Sequence, residues 1–397
     1  MYDCRKELFM KHFLNSGAIS IGLAMFSMFF GAGNIIYPLA VGQYAGDKNL
    51  FAILGLILTA AIMPIAGAIA MILFDGDYRQ FFGRLGRIPG FILALAIISL
   101  LGPLGSTPRC IALSYTTLSS SYLEMSQTLF SAIACGIIFL FTVRKRHILS
   151  LLGWILTPVL LSALIAIIVI GLIIAPEAPS NVDSTNLKMF LHGLSEGYNT
   201  MDLLAAFFFS STIIHILKTR VSKNDTLKKD YLRTAFQASL VAACLLAAIY
   251  IGFSYIASFH GNDLSISGKD ELLAAITMKI AGPYAGILIC IAIALACLTT
   301  AIALISSFTD FIQREVFKDK ISYEVTLISA LIITFFVSTF EFTGISTFLW
   351  PILQICYPGL IVLTILNIAN RLTGFAAIKL PVLLTFACSL ILYFIQN

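Results

Sequence analysis

Apolar runs of about twenty residues recur from Gly17 to Ile395, separated by short polar breaks. A helix rises ~1.5 Å per residue, so ~20 apolar residues is the length that crosses ~30 Å of hydrocarbon. Eleven such spans can be drawn: 17–42, 50–74, 90–118, 127–143, 147–175, 192–218, 230–258, 284–312, 323–340, 344–370 and 376–395. Pro351 and Pro358 leave open whether the tenth is one helix or two short pieces. Of the 397 residues 59% are hydrophobic and 11% charged, whereas soluble domains are roughly half apolar and a quarter charged. An all-α integral membrane protein in a lipid bilayer is expected. The net charge of +5 implies no nucleic-acid partner, because the basic residues are explained by position.

With the N-terminus placed inside, twenty of the 25 Lys and Arg fall in inner segments and four, Lys48, Lys188, Lys269 and Lys279, in outer ones. Arg109 is left within a span. Cytoplasmic loops carry such an excess, so the N-terminus is expected in the cytoplasm. Arg5, Lys6 and Lys11 followed by an apolar run and Gly31-Ala32-Gly33 mimic a signal peptide. The run continues to Val41, which reads as a span rather than a cleaved leader. The eight Cys include no CxxC pair or His/Cys cluster, so neither zinc nor a disulfide framework is suggested.

Five spans (17–175) precede the polar outer loop 176–191 and five more (192–370) follow, with 376–395 as an accessory helix and 1–16 as a cytoplasmic tail. An odd number per half inverts the second half relative to the first, the arrangement of inverted-repeat transporters. Each half opens on an interrupted span: "FFGAGNIIYP" in one, "SEGYNTMD" (Ser195 to Asp202) in the other. Each half also carries an amphipathic segment between its second and third spans. In the first, Phe81, Phe82, Leu85 and Ile88 form the apolar stripe. In the second, Leu272, Leu273, Ile276 and Ile280 do so, after Ser267 and Asp270 at capping-box spacing.

An unpaired backbone N–H or C=O in hydrocarbon costs several kcal/mol, so a break inside a span needs a ligand, ion, water or neighbour to take up the freed groups. Two half-helices meeting at a break offer partial positive and negative ends, which suits a small zwitterion. Gly31 and Gly33 permit unwinding, although small residues also serve plain helix packing. In the second break Glu196, Tyr198, Asn199, Thr200 and Asp202 are polar. Acids at membrane depth are functional suspects, unless 196–202 lies at the outer surface. In "LACLTTAIAL" the Ala296 carbonyl and the Thr299 and Thr300 hydroxyls offer three hard oxygens on one turn, which suit an alkali cation. Such hydroxyls also commonly bond back to their own helix. Pro103 and Pro108 break the third span beside Arg109, which either snorkels to a surface or pairs with an acid. No HExxH or GxSxG motif marks an intramembrane enzyme, and no ring of charges or repeated filter loop marks a channel.

"FFGAGNIIYP", "GPLGSTPRCIALS", "EGYNTMD" and "LACLTTAIAL" together resemble the signature stretches of bacterial branched-chain amino acid:cation symporters, the system II carriers for leucine, isoleucine and valine. The resemblance runs over essentially the whole chain. It implies the leucine-transporter fold, with substrate held at broken first and sixth helices and sodium between the first and eighth. Carried over, it implies substrate contacts at Gly31, Ala32, Gly33 and Asn34 and at Gly197, Tyr198, Asn199 and Thr200, beside Asp202. It implies a cation near the main-chain oxygens of Ser27 and Phe30 with Ala296, Thr299 and Thr300, and a lid role for 267–281. Twelve spans are usual in that family, against the eleven read here. The expectation is a secondary transporter in a bacterial inner membrane. It imports leucine, isoleucine, valine or methionine with Na+ or H+ and needs no organic cofactor. Phe29 or Phe30 and the Phe207–Phe209 run would form its apolar pocket. A proton-coupled exporter, or a carrier of another small zwitterion, is the alternative.

Overall fold

The computed structural model describes residues 18–119, 125–143, 157–176, 178–220, 226–261, 264 and 268–396. The expected tail 1–16, the basic loop Arg144-Lys145-Arg146, Lys223 and Ser267 of the expected capping box lie outside the described residues. All regular structure in the described residues is helical: α1 (Ala18–Phe29), α2 (Ala32–Ala45), α3 (Asn49–Ile57), α4 (Met63–Leu73), α5 (Tyr78–Gly83), α6 (Arg87–Leu101), α7 (Ser106–Ser119), α8 (Gln127–Val143), α9 (Thr157–Ile173), α10 (Asn186–Tyr198), α11 (Asp202–Arg220), α12 (Thr226–His260), α13 (Leu272–Phe311), α14 (Tyr323–Ser338), α15 (Glu341–Thr373) and α16 (Lys379–Gln396). Five helical stretches among them are long and apolar enough to cross a membrane, and six shorter apolar helices accompany them. One such stretch, Ala32–Leu73, has 42 residues, about twice the length of one crossing. It folds back at Gly46–Lys48, where Gly46 takes φ 51°, and α2 packs against α3.

The expected interruptions are resolved in detail. The first span parts at Phe30–Gly31, between α1 and α2. The sixth parts at Asn199–Met201, between α10 and α11, a shorter break than the expected 195–202. The third parts at 102–105, at Pro103. Pro108 does not break it, because it sits in the first turn of α7, where the missing N–H would have no helical partner. Pro351 and Pro358 likewise lie inside one continuous helix, α15. An interruption the sequence reading missed is a π-turn, Leu58–Ile62, joining α3 to α4. Pro64 follows it and can donate no N–H to the ladder. In the second span of the other half, α12 runs unbroken from Thr226 to His260.

Of the stripe expected on the first amphipathic segment, Phe81, Phe82 and Leu85 are buried, but Ile88 is 71% exposed. The helix ends at Gly83 and a new one starts at Arg87, so Ile88 no longer shares the face. The second stripe (Leu272, Leu273, Ile276, Ile280) is buried throughout. Gly282, at φ 73°, separates it from the rest of α13.

Tight backbone approach sets the packing around the breaks. A Cβ on Gly193 (α10) would lie 1.8 Å from the Ala52 carbonyl oxygen, and one on Gly55 (α3) 2.1 Å from that of Phe190. Without a hydrophobic drive between helices in lipid, such small-residue contacts hold the bundle. Neither clash can be relieved by a rotamer, because each is with backbone. Gly193→Val is therefore expected to lower the folded yield and the Tm of purified protein. Gly136→Ala, with nothing within 4 Å of its Cβ, should leave both unchanged or slightly raised; a thermal-stability assay in detergent compares the two.

Candidate functional site

The two breaks meet. A Cβ on Gly33 would lie 3.0 Å from Thr200 Cα and 3.1 Å from the Asn199 carbonyl oxygen, so the backbone of α2 touches the unwound segment between α10 and α11. At the first break Phe30 N–H closes α1 by donating to Phe26 O at 2.8 Å. Gly31 N–H then donates to the side chain of Asn34 at 3.1 Å, so an amide on the first turn of α2 caps its own helix. At the second break Asn199, Thr200 and Met201 donate to the carbonyls three residues back, tightening the last turn of α10. Met201 is then held at φ 62°, a left-handed conformation that costs a non-glycine residue about 1–3 kcal/mol and is seen mostly where the surroundings enforce it.

Asp202 opens α11 and is 1% exposed. It is therefore not at the outer surface. Asn34 Nδ2 donates to both of its oxygens at 2.7 Å and the Tyr250 hydroxyl to one at 2.6 Å; Asn34 Nδ2 also contacts the Tyr250 oxygen. Asn34 thus links the two breaks, capping α2 with its oxygen and holding Asp202 with its nitrogen. Leu203 N–H donates to the Tyr357 hydroxyl at 3.1 Å, and Tyr357 stacks on Tyr198 at 4.7 Å.

Arg109, 1% exposed, follows neither sequence alternative: it does not snorkel, and no carboxylate pairs with it among the described residues. Its Nη1 donates to the Tyr37 hydroxyl and its Nη2 to the Asn199 carbonyl, both at 3.1 Å, with Met201 Sδ at 3.0 Å. The break in the third span thus places a guanidinium on a carbonyl freed by the break in the sixth. Glu196 extends the network, accepting from Asn199 Nδ2 at 3.2 Å and from Lys269 Nζ at 2.9 Å. Lys269 lies within 267–281, the segment to which the resemblance gives a lid role.

Gly31, Ala32, Gly33, Asn34, Thr200 and Asp202 line one cavity of about 20 Å³, room for little more than one water. Its remaining wall includes Phe29, Phe209, Arg109, Cys110, Met201 and Thr300. Phe29 and Phe209 meet edge to face at 5.4 Å. Three expected residues do not line it. Gly197 faces Thr59 of the π-turn, Tyr198 packs on Tyr357, and the Asn199 side chain turns to Glu196. Phe30 stacks on Phe26 instead, and Phe207 packs on Phe81 and Phe82. The sequence reading missed Tyr250 and Tyr357, which carry no motif, and gave Met201, inside the second break, no role. It had noted Arg109 without a role.

The Thr300 hydroxyl lies 3.1 Å from Ser27 O and 2.9 Å from Phe30 O. Three of the expected cation-site oxygens therefore converge where α1 ends and α13 crosses it. Thr299 bonds back to Ala296 O at 2.7 Å, as its spacing allowed. All five residues are buried. The donor set, carbonyl and hydroxyl oxygens with no sulfur or imidazole, fits a hard cation.

On another face a vestibule of about 650 Å³ is lined by Tyr78, Arg79, Phe91, Phe311, Glu315 and Lys318. Glu315 accepts from Arg79 Nη2 at 2.6 Å and Nε at 2.7 Å and from the Tyr78 hydroxyl at 2.7 Å, tying α5 to the π-turn Ile312–Val316 that follows α13. Burial, then the bond to Glu315, pushes the Tyr78 hydroxyl above its ordinary range, so it stays a donor at physiological pH.

Broken helices around a small buried cavity, with only helices among the described residues, fit a membrane carrier. The fold resembles that of MhsT, solved in complex with L-phenylalanine (TM-score 0.62, 19% identity, 94% of this chain and 97% of that one). It also resembles a Na+-coupled sialic acid symporter in a substrate-bound outward-open state (TM-score 0.59, 12% identity, 95% and 88%); both have the leucine-transporter fold. The chain belongs to the family of branched-chain amino acid transport proteins, whose pattern it matches over residues 15–396. It is 29% identical to the branched-chain amino acid permease BraB of Bacillus subtilis over 372 residues, 91% of this chain and 82% of that one.

Tyr250→Phe removes one of the donors on a buried carboxylate, a loss of about 1–3 kcal/mol. Amino-acid uptake should fall several-fold at normal membrane insertion. Wild-type uptake by this variant would detach Asp202 from the working of the cavity.

Proposed function

We propose that the chain is a secondary active transporter that imports leucine, isoleucine or valine, with methionine as a further candidate, together with Na+. It would work from a bacterial inner membrane with its N-terminus in the cytoplasm. The observation that carries this reading is the meeting of the two breaks at Gly33, with Asp202, Thr200, Phe29 and Phe209 around one cavity. Polar backbone and a carboxylate on one side, and aromatic rings on another, match a zwitterion with an aliphatic side chain. Ser27, Phe30, Ala296, Thr299 and Thr300 would hold the sodium ion. The family membership supports the substrate class, and the basic residues on one side support the orientation.

Eleven spans in this reading form a core of two five-span repeats, 17–175 and 192–370, one inverted against the other, with 376–395 outside it. The recurrence of a broken opening span and of an amphipathic segment in each half supports the inversion. Transport would rock the bundle carrying the breaks against the rest. One charge moving through 100 mV supplies ~2.3 kcal/mol, enough for a gradient of roughly 50-fold at about 1.4 kcal/mol per decade. The cavity of about 20 Å³ must widen to admit any amino acid, and opening between α2 and α7 would do so.

A second reading, proton coupling, is favoured by one feature: Asp202 is buried with only neutral donors on it. A carboxylate so placed can also take a proton when the cavity is desolvated.

Gly33→Leu should abolish leucine uptake in proteoliposomes while the protein still inserts, because its side chain would enter both the cavity and the Asn199–Thr200 backbone. Normal uptake would remove residues 31–34 from the site. Thr299→Ala with Thr300→Ala should raise the sodium concentration for half-maximal uptake by tenfold or more. An unchanged sodium curve rejects the cation site, and uptake indifferent to sodium in the parent chain favours the proton.

A further inference from the structure

We propose that the Arg109 guanidinium binds the carboxylate of the transported amino acid, across the cavity from Asp202, which takes its ammonium group. The proposal rests on the reading of the cavity as an amino-acid site. Arg109 and Asp202 are each 1% exposed and line the same cavity, yet no hydrogen bond or ion pair joins them. The hydrogen-bond partners of each are neutral: Asn34, Tyr250 and Thr200 for the carboxylate, and Tyr37, the Asn199 carbonyl and the Met201 thioether for the guanidinium. Buried ions are costly unless an opposite charge and a full set of hydrogen bonds offset the lost hydration. Here two opposite buried charges are kept apart on one small cavity. A zwitterion set between them completes both at once.

The hydrogen bonding of Arg109 is also incomplete. Its Nε is buried without a partner. Nε and Nη2 form one edge of the guanidinium, the edge that takes a carboxylate with two parallel bonds. One acceptor now on Nη2 is the sulfur of Met201, a weak acceptor that a carboxylate would displace. Its central carbon also lies over the rings of Tyr37, at 5.8 Å, and Phe342, at 5.9 Å. Through the Asn199 carbonyl the same group touches the sixth-span break, so carboxylate binding and the position of that break are linked. The rival role on the same contacts is purely structural: a staple for Asn199.

The test uses the full chain in proteoliposomes and three competitors of labelled leucine uptake: leucine, leucinamide, and 2-hydroxy-4-methylpentanoate. The second lacks the carboxylate charge and the third lacks the ammonium. In the parent chain both analogues should compete about 30-fold or more weakly than leucine, the scale set by leaving one member of a buried charge pair unmatched. Arg109→Gln should weaken leucine by about that factor and leave leucinamide where it was, so that the preference between them collapses. The preference for leucine over the hydroxy acid should survive. A variant that keeps the parent's leucine-to-leucinamide ratio, whatever its overall affinity, overturns the proposal and leaves Arg109 as a staple. Where the glutamine variant fails to fold, Arg109→Lys keeps the charge without the fork; its ratio should fall too, and an unchanged ratio overturns the proposal equally. A parent chain whose uptake leucine does not compete for would instead sink the amino-acid reading itself.

Discussion

The backbone groups that two helices release inside the bundle set the terms for everything around them. In hydrocarbon such groups must be met by protein or ligand. Part of the demand is met internally: Asn34 caps Gly31, Tyr357 takes the Leu203 N–H, and Arg109 sits on the Asn199 carbonyl. Those three partners come from α2, α15 and α7, so the breaks are held from several sides. Met201 is kept in a left-handed conformation between them. The contact of Gly33 with the second break brings both sets of freed groups to one place.

The charged residues extend that arrangement outward. The Arg109 contact continues through Asn199 and Glu196 to Lys269, which is half-exposed. Asp270 next to it accepts from Thr116 of α7 at 3.0 Å. The turn before the second amphipathic segment is thus tied to both the sixth-span break and the third span. The face bearing Arg79 and Glu315 is bridged separately, through a fork that joins α5 to the π-turn after α13. The two sets of polar bridges share no residue, and the cavity is lined from α2, α7, α11 and α13.

Much of this was legible in the sequence because membrane physics limits the alphabet of a span. Glycine, proline and acids stand out in apolar runs, so the breaks at Gly31, Pro103 and Asn199 could be anticipated, as could the approach of Thr300 to Ser27 and Phe30 once the family resemblance was drawn. What the sequence could not give was direction. Tyr198 and Gly197 sit within one turn of the cavity-lining Thr200 and Asp202, yet face Tyr357 and Thr59. Ile88 was placed on a stripe that a helix ending at Gly83 cuts short. Tyr250 and Tyr357 looked like two aromatics among many, and only their packing against Asp202 and Leu203 gives them weight. Proline misled both ways: Pro108 does not break the third span, while the π-turn before Pro64 was passed over.

The central claim is that an amino acid and a cation occupy adjacent sites built on the two broken helices. Binding of labelled leucine to the purified chain, measured with sodium and with choline in its place, tests it most directly. Linkage requires each ligand to raise the affinity for the other by the same factor, so sodium should tighten leucine binding and leucine should tighten sodium binding equally. Leucine binding of the same affinity in both salts, in protein shown to be folded, would contradict the account.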